Sequence, residues 1–282
     1  MSVVVFAFLA AFLFGVSVHL QHSGMRFLDA QTGILVNISF ASVILLILSP
    51  LYVDVSNLLT KATLIFVLIG LIQPALTMSL STHGIKRLGP SLSASIAATN
   101  PVFAIYLAWF FLNEVVTPAI LFGTLLVVVG VVIAGYRRKG FVSNWPMWCL
   151  LLPLGAAFLR ALTQPMTKIA LAEVTEPIYA LLISSLVSSL VLTFVYKLKG
   201  RRLPSFNRGY YWFAGSGLLN ALGVYFYYSA LAGGDVVLVA PIVATAPVMT
   251  VLLSQFVFKR EVVSMKTWLT IALVAFGVFL VI

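Results

Sequence analysis

The sequence predicts an all-α membrane protein of ten transmembrane helices, arranged as two inverted five-helix repeats. Three observations predict it. First, 62% of the residues are hydrophobic and 9% are charged, with a mean hydropathy of +1.12. A soluble chain of 282 residues needs a wetted surface, so this composition implies lipid as the solvent. Second, the apolar residues fall into runs near the ~20 residues a helix needs to cross a bilayer: 2–21, 31–51, 62–82, 90–112, 117–136, 147–168, 177–197, 211–231, 236–258 and 264–282. Third, the chain repeats itself. Ala98-Thr99-Asn100-Pro101-Val102 returns 146 positions later as Ala244-Thr245-Ala246-Pro247-Val248. Glu114-Val115-Val116 and Glu261-Val262-Val263 follow in turn, and a glycine-containing span closes each half, with Gly130 in one and Gly277 in the other.

The spans leave no room for a soluble domain. Span one lacks a basic leader, and it carries Ser17, His19, Gln21 and His22 where a cleavage site would want small residues, so it is expected to remain as a helix. Five spans per half is an odd number, so the second copy enters the membrane from the opposite side, and the halves form an inverted repeat. The expected division is 1–136, a basic linker at 137–146, and 147–282. Pro74, Pro101, Pro165, Pro241 and Pro247 interrupt spans, and a proline inside a helix removes a backbone bond and bends it. The lone Cys149, in an apolar run, reads as a small hydrophobe and rules out an internal disulfide.

The net charge of +10 does not point to nucleic acid, because the cations lie at helix ends. Arg26, Lys86, Arg87, Arg137, Arg138, Lys139, Lys197, Lys199, Arg201, Arg202, Arg208, Lys259, Arg260 and Lys266 follow odd-numbered spans. Only Lys61, Lys168 and Arg160 do not. The positive-inside rule makes the first side cytoplasmic and places both termini outside. Tyr52, Tyr136, Trp145, Trp148, Tyr210, Tyr211, Trp212 and Trp268 cluster near span ends, as interfacial anchors do.

An ionisable residue inside a span costs about 2.5–3.5 kcal/mol on insertion scales and is a functional candidate by default. Arg160 is more than a turn inside span six, and Gln164, Thr167 and Lys168 share its face at i+4, i+7 and i+8. Two readings stand: Arg160 is satisfied by a structural partner, or it lines a cavity and binds an anionic group. Span one offers His19 and His22 on the face of Gly15, either as proton-coupling groups or as a hydrogen-bonded structural pair. Gln73 of span three and Asn220 of span eight are near-equivalent between the repeats. With Thr77, Ser79 and Ser81 of span three and Ser216, Tyr225, Tyr227 and Tyr228 of span eight they suit a cavity wall, and the two amides equally suit bridges between helices. Ser184-Ser185 and Ser188-Ser189 read as small-residue helix contacts, and Glu114 and Glu261 as structural groups that complete turns or pair with cations. Pro101 and Pro247 are expected to shape the site. No catalytic constellation and no metal-spaced cluster appears in the sequence, so neither enzyme activity nor a cofactor is expected.

These features resemble the EamA-type branch of the drug/metabolite transporter superfamily, over essentially the whole chain. In each half of such proteins an early helix carries Trp-Gly or Trp-Ala, with Lys eight residues after the Trp. A helix with a central Pro, an acidic residue and a Gly-containing helix follow. Here the early pairs are Phe14-Gly15 with His22, and Arg160-Ala161 with Lys168. Both Trp positions and one Lys position therefore depart from the pattern, and Asn37 stands where many relatives carry Arg. The resemblance implies a cavity lined mainly by helices one to four and six to nine, and cytoplasmic termini, against the charge count. The expectation is a monomeric secondary transporter of a bacterial inner membrane, with protons as a candidate coupling ion. It would export a small anionic or zwitterionic metabolite, an amino acid or other carboxylate, by alternating access. The rival readings are a lipid or polyprenyl-phosphate flippase, or a membrane scaffold.

Overall fold

The computed structural model describes residues 3–52, 54–135, 146–257 and 265–282. Within them the chain is helical, with no strand. In order the helices are α1 (Val3–Gly24), α2 (Ala30–Tyr52), α3 (Lys61–Leu71), α4 (Thr77–Leu88), α5 (Pro90–Ala97), α6 (Asn100–Leu112) and α7 (Pro118–Gly135) in the first half. The second half contributes α8 (Leu151–Glu173), α9 (Pro177–Leu198), α10 (Arg208–Gly233), α11 (Val236–Val243), α12 (Ala246–Phe256) and α13 (Met265–Val281). Each expected span overlaps helix, but the third, fourth and ninth are each built from two helices. Glu261 and linker residues 137–145 lie outside the described residues.

Seven segments are long and apolar enough to cross a membrane: Val3–Gly24, Ala30–Leu51, Lys61–Leu88, Leu92–Leu112, Met147–Glu173, Pro177–Leu198 and Val236–Gln255. Pro118–Ile133 and Trp268–Val281 are shorter apolar helices. The 26-residue α10 is long enough to span, yet it is not among the seven. Ser216, Asn220 and a run of tyrosines dilute its apolar character.

The repeated motif folds the same way twice. Between α5 and α6, the Thr99 amide and hydroxyl both donate to the Ile96 carbonyl, at 3.1 and 2.7 Å. Between α11 and α12, Thr245 does the same to Ile242 at the same two distances. Pro101 and Pro247 have no N–H to continue a ladder, so each helix stops, makes one tight turn closed by threonine, and restarts. The break between α3 and α4 has no counterpart of this kind. Gln73 is extended there (φ −116, ψ 134), ahead of Pro74.

Helix pairing is reciprocal between the halves. α1 lies along α10, while α8 lies along α3 and α4. α2 pairs with α9, and α7 with α13. The first span of each half therefore packs on the third span of the other, and the second and fifth pair with their own counterparts. Glycine permits the last pairing. A Cβ on Gly123 would stand 2.5 Å from the Gly277 carbonyl oxygen, and one on Gly277 would stand 2.6 Å from that of Gly123. Backbones this close are the usual reason for small residues at membrane helix interfaces. Gly277→Leu is expected to force α7 and α13 apart and to cost about 1–3 kcal/mol, the range for overpacking. Thermal unfolding in detergent should show the loss. Gly155→Ala, whose new methyl would meet only Leu80 Cδ1 at 3.7 Å, should leave the melting temperature unchanged.

Candidate functional site

A cavity of about 670 Å³ lies between the halves. The broken helices supply part of its lining. Pro74, Pro101 and Pro247 all line it, together with Ala98 and Ala244 from the paired turns. Helix breaks inside a membrane occur where they face a cavity or are covered by protein, because freed backbone groups need partners there. Ser188 supplies one such partner. Its hydroxyl is 3.0 Å from the Gly70 carbonyl, 2.6 Å from that of Gln73 and 2.7 Å from that of Ser184. The serines of α9, expected only as small contact residues, also bond across to α2 and border the cavity: Ser39 meets Ser189 at 2.8 Å, and Ser42 donates to the Ser185 carbonyl at 2.9 Å.

Arg160, Gln164, Gln73 and Asn220 meet on this cavity. Arg160 is its only charged lining residue among the described residues. Arg160 is half-buried, and no carboxylate pairs with it among the described residues. Its side chain's one hydrogen bond among the described residues is a long one from Nη2 to the Ser81 hydroxyl, at 3.5 Å. Beneath it, Gln73 donates to Thr163 Oγ1, which donates in turn to the Arg160 carbonyl at 2.8 Å.

Gln164 is oriented by a relay. Asn100 Nδ2 donates to the Ala157 carbonyl at 3.0 Å, which turns Asn100 Oδ1 toward Gln164 Nε2 at 3.2 Å. Gln164 Oε1 is then left as a buried acceptor with no partner among the described residues. Buried polar atoms are usually bonded, so this oxygen, one turn along the helix from Arg160, stands out within the cluster.

The other expected residues lie elsewhere. Lys168 points away from the cavity. Its Nζ is 2.8 Å from Glu114 Oε1 and 2.8 Å from Asp235 Oδ1. Glu114 also accepts from the Val236 and Val237 amides, at 3.0 and 2.9 Å, and so caps the N-terminus of α11. His19 Nε2 is 2.9 Å from the Thr250 carbonyl, and Gly15 faces Met249 and Thr250. That face of α1 is therefore turned onto α12, with His22 exposed at its end. Tyr225 stacks edge-on with Phe226, and the neighbouring Tyr227 and Tyr228 reach the cavity instead.

Asn100 and Thr163 also line the cavity, though neither was singled out from the sequence. A signal existed for Asn100. It is the single position where the two five-residue copies differ, against Ala246. Thr163 carried no such mark, since threonine is ordinary in membrane helices.

The profile of the EamA-like transporter family matches residues 1–136 and 147–282. No curated protein matches the chain in sequence. Among solved structures, a crystal structure of a protein superposes with a TM-score of 0.83 at 16% sequence identity, covering 99% of this chain and 95% of that one. That likeness concerns the fold alone.

The Lys168 geometry makes a prediction. Lys168→Met removes a bond to a buried carboxylate, worth about 1.5–3 kcal/mol. The variant should melt earlier in detergent. Because Lys168 is off the cavity, the KM of the protein that remains folded should not move. A raised KM with unchanged melting would return Lys168 to the binding surface.

Proposed function

Because the chain belongs to the EamA-like transporter family of the drug/metabolite transporter superfamily, and is therefore a multi-pass membrane transporter, we propose that it carries a small anionic or zwitterionic metabolite through the cavity around Arg160. An amino acid or another carboxylate is the substrate class that fits. The observation that carries this reading is that, among the described residues, the guanidinium pairs with no carboxylate and none lines its cavity. A lipophilic cation would find repulsion there and no counter-charge, whereas a carboxylate finds a planar fork that binds it bidentately. Asn220, which lines the same cavity, offers an amide to an ammonium or hydroxyl of the same molecule. Valines and leucines on α7, α9 and α10 offer an apolar wall to its remainder. A cavity of about 670 Å³ is within the usual range for small-molecule sites, roughly 300–1,000 Å³.

In this reading α7, α10 and α13 complete ten spans with the seven apolar segments. The two halves, 1–136 and 147–282, are inverted and rock about the cavity in alternating access, exporting the substrate as a monomer of a bacterial inner membrane. The paired threonine–proline turns and the reciprocal helix pairing support two equivalent moving bodies. The cation count places both termini outside the cytoplasm. His19 is engaged by α12, so the reading names no coupling ion.

The test is exchange of labelled small carboxylates in liposomes. Arg160→Ala should lower exchange roughly ten- to a hundred-fold, the factor for 1.5–3 kcal/mol of lost charge-assisted bonding, without lowering the amount of folded protein. Equal exchange by the variant would remove Arg160 from the mechanism. Orientation is tested separately with an enzyme fused after Ile282 that is active only outside the cytoplasm. Activity is expected, and silence beside a working control would invert the topology.

A further inference from the structure

The break at Gln73 has a second effect, away from the central cavity. α3 packs against both α8 and α9, but beyond the break α4 packs against α8 and α5. α4 therefore parts from α9. The wedge left between α2, α4 and α9 is a separate cleft of about 510 Å³.

Its lining is sorted along its length. At the end where α2 begins and α4 and α9 finish stand Gln31, His83, Lys86 and Lys199. Ser79, Thr82, His83 and Lys86 fall at i, i+3, i+4 and i+7, so α4 presents one polar face to the cleft. Toward the middle of the molecule the lining becomes Leu71, Leu76, Met78, Val191 and Leu192. Ten residues separate Lys86 from Leu76, which is about 15 Å of helix, the depth of one leaflet of hydrocarbon. Leu71 and Leu76 are 44% and 46% exposed, so the apolar part opens sideways, where the bilayer lies.

The charge is uncompensated. No carboxylate lines the cleft, and neither Lys86 nor Lys199 forms an ion pair among the described residues. Asp29, two residues before Gln31, is already taken by Arg201 at 2.8 Å and by Thr32.

We propose that this cleft binds an anionic phospholipid, with its phosphate between Lys86 and Lys199 and an acyl chain along Leu76, Met78, Val191 and Leu192. A cationic pocket between helices, at the level of a headgroup and continuous with an apolar trough, is the arrangement such a lipid needs. A free phosphate would use only the upper end.

The experiment uses the purified full chain, delipidated in neutral detergent, and measures ligand binding by native mass spectrometry and by thermal shift. Phosphatidylglycerol should bind and raise the melting temperature. Phosphatidylcholine, glycerol phosphate and inorganic phosphate should each do so far less at equal concentration. The double variant Lys86→Gln/Lys199→Gln should bind phosphatidylglycerol roughly thirty-fold more weakly, about five-fold per lysine. Its melting temperature without lipid should match that of the parent. Val191→Trp, which fills the trough and keeps the charge, should also weaken lipid binding, and it serves should the double variant not fold. Equal binding of phosphatidylcholine, full binding of glycerol phosphate or inorganic phosphate, or unchanged lipid affinity in the variants would each overturn the proposal. None of these results bears on Arg160, so the site and the transport reading fail independently.

Discussion

A helix that breaks inside a bilayer exposes amides and carbonyls that no water can satisfy, each at a cost of several kcal/mol. The structure depends on meeting that cost three times. Thr99 and Thr245 close the paired turns with their own side chains. Ser188 reaches from α9 to the carbonyls freed at Gly70 and Gln73. At the start of the ninth span, outside these breaks, Glu114 likewise takes the first amides of α11. The last two repairs cross between the halves, so the elements that tolerate the breaks also join the two repeats. A cavity bordered by kinked helices follows from this, because the breaks lie where the halves meet.

The repairs also decide which cations remain available. Glu114 is a buried carboxylate, and two backbone amides do not balance its charge, so it draws Lys168 onto itself, with Asp235 beside it. Removing one partner of such a group is costly, whereas replacing the whole arrangement need not be. Lys168 is thereby committed to structure. Arg160, two turns earlier on the same helix, bonds through its side chain only to Ser81 among the described residues. Its pseudo-symmetric position in α1 is Phe14, which lines the same cavity without charge. The repeat thus sets the frame, and a single difference between its copies sets the electrostatics.

Much of this was legible in the sequence, for physical reasons that differ by residue. The repeated Ala-Thr-x-Pro motif is local chemistry, and proline with threonine dictates the turn whatever the surroundings. The convergence of Arg160, Gln164, Gln73 and Asn220 was legible because polar residues inside apolar spans avoid lipid and so face inward. Lys168 was not, because its partner is 54 residues away in the other half. Gly15 and His19 were read as sharing a face, and both meet α12, but nothing in one helix says which neighbour a face meets. Tyr225 differs from Tyr227 and Tyr228 only by helical rotation, about 100° per residue, and a run of tyrosines does not reveal its own phase. The break at Gln73 was signalled by Pro74 alone, and Pro165 sits inside an unbroken α8. Proline therefore marks where a helix can break, and a partner such as Ser188 decides whether it does.

The contrast between Arg160 and Lys168 bears on what the cavity holds. An unpaired cation at membrane depth costs about 2.5–3.5 kcal/mol on insertion scales, and the fold has carboxylates within the same set of helices that it spends on Lys168. Among the described residues Arg160 has none, which is the observation the proposed reading draws on. Gln164 makes the same point with opposite polarity. Its amide nitrogen is fixed by Asn100, and its oxygen stays open. A purely structural site would be expected to close both. Among the described residues, one helix thus carries a guanidinium without a carboxylate and a buried amide oxygen without a partner, beside a cavity bounded in part by the paired turns, and it is this imbalance that the proposed anionic or zwitterionic substrate rests on.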